Sequence, residues 1–135
     1  MALSASERTD QIWRFLDYVR EQINVERAIL YGSSARGQTH PDSDIDLAVL
    51  SPDFANLDML ARLRLLLRAA WKAGTDWIEP VGYTVQEFDA SQPGTFVEEI
   101  KRHGIVVYDV TTARMPLAAR ESAASYGGSE NSAGT

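Results

Sequence analysis

Apolar residues recur at spacings of three and four from Ser6 to about Ile23, so that Ile12, Phe15, Leu16, Val19 and Ile23 share one stripe. The pattern predicts an amphipathic helix lying on a sheet, with Ser6 or Ser4 as its N-cap. Ala28-Ile29-Leu30-Tyr31 reads as a short buried strand that ends at Gly32, where the chain must turn sharply. Residues 37 to 43, with Pro41, form an irregular connection. A second strand is expected from Ile45 to Leu50, stopped at Ser51-Pro52 because proline donates no ladder hydrogen bond.

The richest helical periodicity runs from Leu57 to about Lys72. Leu57, Leu60, Leu63, Leu67 and Trp71 fall on one side and Arg62, Arg64 and Arg68 elsewhere, which predicts a core helix with the leucine stripe facing inward. Trp77 to Thr84 follows as a third strand, Phe96 to His103 as a short helix with Gly104 as its C′ stop, and Ile105 to Tyr108 as a last strand. Beyond Val110 the composition shifts to Gly, Ser, Ala and Thr with few large apolar residues. The expected division is a folded domain over residues 1–110 and a tail over residues 111–135 that is disordered or folds only on a partner. No internal repeat is visible.

The length of 135 residues fits one domain. A formal charge of −6 argues against a general nucleic-acid binder, which would carry a basic stripe to neutralise phosphates. Cysteine is absent, so there is neither a disulfide framework nor a thiolate metal site. The start, with Glu7 and Asp10 and no apolar run, does not read as a signal peptide, and no stretch approaches the roughly 20 apolar residues of a membrane span. A cytoplasmic protein without membrane contact is expected.

The densest chemistry lies between the first two strands. Along a strand, alternate residues share a face, so Asp44 and Asp46 project together while Ile45, Leu47 and Val49 face a core. Adjacent carboxylates repel, and a hard divalent cation removes that cost by accepting oxygen ligands from both. Pro-Asp-Ser-Asp alone would be an ordinary loop sequence; Gly32-Ser33 upstream changes its weight. Glycine lets backbone approach a phosphate closely, and the Ser33 hydroxyl with the following N–H groups can donate to its oxygens. Arg36 is either a phosphate or acceptor contact or an exposed surface residue. No Gly-Lys-Ser/Thr follows, so this is not a P-loop. His40 and His103 lack mutual ligand spacing and read as surface residues, with contact to a nucleotide as the alternative for His40, which lies in the loop ahead of the aspartates. Glu79 sits on the third predicted strand, on the face of Trp77, Val81 and Tyr83.

Gly32-Ser33, ten residues from Ser34 to Ser43, then Asp44-Ile45-Asp46 resembles the signature of the nucleotidyltransferase superfamily related to DNA polymerase beta. Ile78 to Thr84 is similar to the third-carboxylate strand of the minimal nucleotidyltransferases, small bacterial members often encoded beside a helical HEPN-type toxin. The third acidic residue is commonly Asp there; here it is Glu79. The resemblance runs from about residue 10 to about residue 109. It implies an α/β fold, a small mixed sheet with helices packed chiefly on one face. It also implies Asp44, Asp46 and Glu79 as catalytic metal ligands for two magnesium ions, with Glu79 as general base. Gly32, Ser33 and Arg36 would then bind nucleotide. The implied reaction is transfer of AMP from ATP to a hydroxyl of a partner protein, a HEPN-type toxin held in a hetero-oligomer that this chain would serve as antitoxin. The alternatives are a non-catalytic antitoxin that masks its toxin, and an aminoglycoside-type nucleotidyltransferase, which would require a second acidic domain for a polycation.

Overall fold

The computed structural model describes residues 4–32 and 44–112. The first helix, α1 (Ala5–Gln22), begins at Ser4, whose side chain accepts from the Glu7 N–H while the Glu7 carboxylate accepts from the Ser4 N–H. Of the two candidate caps, Ser4 therefore serves. Ile12, Trp13, Phe15, Leu16 and Val19 form its buried face.

Four strands follow the predicted order: β1 (Arg27–Tyr31), β2 (Ile45–Leu50), β3 (Ile78–Tyr83) and β4 (Ile105–Asp109). They form one mixed sheet in the order β3-β2-β1-β4. β1 runs antiparallel to both β2 and β4, whereas β2 and β3 are parallel and joined by a crossover through α2 (Met59–Lys72). A short 3-10 helix, Pro52–Asn56, fills the connection after β2, with Ser51 as cap. Two short helices complete the described residues: α3 (Val85–Asp89), absent from the sequence reading, and α4 (Phe96–His103). Gly104 ends α4 in an extended conformation, φ −74°, not the left-handed one expected of a C′ stop. Packing accounts for the glycine, since a Cβ there would collide with the Ile29 side chain and the Ile100 carbonyl.

The strand alternation sorts the core into two clusters. Ala28, Ile45, Leu47, Val49 and Ile78 face α1 and α2, while Ile29, Ala48, Leu50 and Tyr83 face Phe88 of α3 and Ile100 of α4. The two long helices thus share one face, and the two short ones cover part of the other. Trp77 lies just before β3 and packs on the α1 and α2 side, away from the face of Val81 expected for it.

The expected orientation of α2 is reversed. Leu60, Leu63, Leu67 and Trp71 are 56, 38, 47 and 74% exposed, and the buried side consists of Arg62, Leu66, Ala69 and Ala70. The consecutive leucines 65 to 67 leave the helical phase open, and the small Ala69 and Ala70 let the helix lie close against the sheet. Leu57, half-buried ahead of the helix, does join the core.

Burial of Arg62 is offset by its partners. It donates to both carboxylate oxygens of Glu87 at 2.6 and 2.9 Å, to the Leu57 carbonyl at 2.9 Å and to the Gly82 carbonyl at 3.2 Å. Glu87 also accepts from the Thr84 N–H, and its own N–H donates to the Thr84 hydroxyl, completing the capping box of α3.

Candidate active site

Sheet register assembles the site. Asp46 is the direct neighbour of Tyr31 across the antiparallel pair and of Glu79 across the parallel pair, so the three form a row across β1, β2 and β3. Asp44 stands two residues before Asp46, at the edge of β2. The Ile45 N–H donates to the Trp77 carbonyl at 2.7 Å, fixing the start of β2 beside that of β3. Arg8, from the first turns of α1, donates to the Asp44 carbonyl at 3.3 Å.

Gly32 closes the row. Its φ of +73° is the left-handed conformation that glycine adopts without a Cβ clash. A Cβ at this position would also run into the Asp46 carboxylate. The turn is therefore fitted to the aspartate that follows it fourteen residues later in the chain.

The acidic groups perturb one another. The Glu79 carboxyl is pushed up to about 7 by its hydrogen bond with Asp44, then by burial and by the charges of Asp44 and Asp46. Asp46 is raised by burial first and by Asp44 second, against an opposing hydrogen bond from Glu79 and the charge of Arg8. Arg8 in turn is lowered by partial burial, while Asp44 and Asp46 act to hold it charged. The Tyr31 hydroxyl is raised by burial, with Asp46, Tyr83 and Glu79 adding to the effect. Burial and the neighbouring carboxylates thus favour the protonated form of Glu79, which lessens the repulsion within the cluster.

Beside the row opens a cavity of about 350 Å³, in the size range of small-ligand sites, lined by Tyr31, Gly32, Asp46 and Glu79 on the sheet and by Phe96 and His103 among the residues of α4. The Phe96 ring is half exposed and meets Tyr31 edge-on, with centroids 5.5 Å apart. His103 lies 3.6 Å from the Glu99 carboxylate, one turn back on the same helix.

Asp44, Asp46, Glu79 and Gly32 thus come together from two strands and a turn. Ser33, Arg36 and His40 lie outside the described residues. Sequence reasoning did not single out Arg8 or Phe96 and read His103 only as surface. The contact of Arg8 spans 36 residues, and nothing local in the sequence signals it.

Among the described residues, no three acidic, histidine or cysteine side chains are drawn into a set enclosing one metal ion. The chemistry of the donors nevertheless fits a hard divalent cation. Asp44, Asp46 and Glu79 offer only carboxylate oxygen, and their mutual repulsion is what a cation would relieve. No described helix is long and apolar enough to cross a membrane.

A glycine turn ahead of paired aspartates, on a mixed sheet backed by two long helices, defines a nucleotidyl-transfer domain. A family model described as nucleotidyltransferase domain matches residues 12–107, and the chain belongs to that family. Over 67 residues it is 37% identical to a bifunctional uridylyltransferase/uridylyl-removing enzyme of Aromatoleum aromaticum; the match covers 50% of this chain but only 8% of that much longer relative. In three dimensions it is similar to a protein of Sulfolobus solfataricus assigned to the nucleotidyltransferases, with a TM-score of 0.61 and 15% identity over 79% of this chain and 85% of the other. It is also similar to a chain of a toxin–antitoxin structure with AMP-PNP, with a TM-score of 0.51 and 24% identity over 75% and 73% of the two chains.

Proposed function

We propose that this domain transfers a nucleoside monophosphate, AMP from ATP with release of pyrophosphate, to a hydroxyl of a partner protein, as the antitoxin half of a toxin–antitoxin pair. The observation that carries the reading is the convergence of Asp44, Asp46 and Glu79 on one sheet face beside the Gly32 turn. The likeness to a toxin–antitoxin chain with AMP-PNP supports the nucleotide and the setting. The partner is taken to be a HEPN-type toxin, the folded domain to span residues 1–110, and nucleic acid to be no direct ligand of an acidic chain.

Asp44, Asp46 and Glu79 would hold magnesium ions, two in the full site. Bound there, such a cation supplies charge neutralisation at the phosphate oxygens. Gly32 gives backbone room at the triphosphate, with Ser33 and Arg36 as its further contacts. Phe96 offers a ring face to the base at the mouth of the cavity. Glu79, beside Asp46 in the sheet register and hydrogen-bonded to Asp44, would accept the hydroxyl proton once its own has been displaced.

Glu79→Gln separates catalysis from mere masking, because it keeps size and hydrogen bonding but removes the proton acceptor. Transfer is expected to fall by roughly 10²–10⁴-fold while nucleotide and partner still bind. The test reads partner mass, for an added nucleotide, together with partner activity. Full neutralisation by Glu79→Gln with no added mass would overturn the enzymatic reading.

A further inference from the structure

The outward face of α2 is apolar where solvent should meet polar side chains. Leu60, Leu67 and Trp71 lie along its crest with Leu63 beside them, directly opposite the buried side of Arg62, Leu66 and Ala69. A stripe of this length on a helix that already has its core contacts marks an interaction surface. Its borders are unequal. Going round the helix from the crest, Arg64, Arg68 and Lys72 follow on one side, and these three line a groove of about 440 Å³ against Tyr18 and Gln22 of α1. None of the three is ion-paired among the described residues. Within Met59–Lys72 there are four cationic residues and no acidic one, on a chain whose net charge is −6.

We propose that the Leu60, Leu63, Leu67 and Trp71 stripe of α2, with its Arg64, Arg68 and Lys72 border, docks an acidic amphipathic helix of a partner protein. Charge selects this occupant. A second copy packing α2 antiparallel against α2 about a two-fold axis would bring Arg64 and Arg68 against their own counterparts, an uncompensated like-charge contact, and a parallel pair would leave both basic borders without an acidic partner. An anionic membrane surface would meet cations on one border only, and the rest of the acidic chain would be repelled. A partner helix laying leucines on the stripe and carboxylates along the groove meets both features at once. The stripe lies on the α1 and α2 side of the sheet and the carboxylate row on the other, so docking leaves the site open. The inference is independent of the transfer chemistry.

The test uses the full chain and two synthetic helical peptides with the same leucine stripe, one bordered by glutamate and the other by lysine. The glutamate peptide is expected to bind about tenfold or more tightly than the lysine peptide and to blue-shift tryptophan emission, a shift lost in Trp71→Phe. Leu60→Ser with Leu67→Ser should weaken binding about tenfold or more at unchanged Tm, since both side chains are exposed, and Arg64→Glu with Arg68→Glu should reverse the peptide preference. Equal binding of both peptides, or of neither, overturns the proposal. So does self-association in sedimentation that the leucine variants abolish, which would assign the stripe to a second copy. Tighter binding to phosphatidylglycerol vesicles than to the glutamate peptide would assign it to lipid.

Discussion

At Gly32 two constraints meet in one residue, a left-handed backbone and a carboxylate where a Cβ would stand. Gly32→Ala is expected to cost about 1–2 kcal/mol in urea unfolding from the backbone alone. It should also displace Asp46, so that nucleotide transfer drops further than stability explains; a stable variant with wild-type kinetics would remove Gly32 from the site. Asp44→Asn or Asp46→Asn should abolish transfer while leaving the fold intact, and the metal-free variant should melt no lower than wild type because a repulsion has been relieved. Transfer at the wild-type rate by either variant would refute their role as metal ligands. The glycine, the aspartates and their shared face were legible in sequence because turn chemistry and strand alternation are local. Arg8 was not, since its approach to Asp44 depends on how α1 crosses the sheet.

Among the elements, α2 shows where periodicity runs out. Its leucines point in several directions, so pattern alone favours the longest stripe, whereas close packing selects the side with Ala69 and Ala70 and one arginine paired with Glu87. The arginine is decided by Glu87, which arrives 25 residues later on a helix too short to announce itself. Arg62→Ala should therefore destabilise the protein by about 1–3 kcal/mol through carbonyls and a carboxylate left without their donor. Glu87→Gln should cost less, since its side chain is 45% exposed and the amide can still accept from Arg62 and Thr84. Equal losses in denaturant titration for the two variants would contradict this asymmetry. Strands were easier to read, because β2 is buried on both faces and bounded by turn residues.

For the whole molecule the carboxylate row sets a pH dependence. Glu79 keeps its proton up to about 7 in the folded chain, against an ordinary value of 4.5, and Asp46 is shifted in the same direction. The folded state therefore binds more protons than the unfolded one across this interval, so this contribution is full below the unfolded value and lost as pH rises through the folded one. Without metal, Tm should fall between about pH 5 and about pH 8, with the slope reduced in Asp44→Asn. Magnesium should raise Tm more at the alkaline end, where it no longer competes with a proton. A metal-free Tm that rises across this interval would contradict the mutual perturbation of the three carboxylates. The most direct measurement of nucleotidyl transfer follows the phosphate itself: the full chain, magnesium and a candidate partner protein are incubated with ATP labelled at either the α- or the γ-phosphate. The proposed function predicts that the partner keeps α-label and no γ-label, and that Asp46→Asn abolishes the incorporation. Retention of γ-label, or α-label transferred equally well by Asp46→Asn, would contradict it.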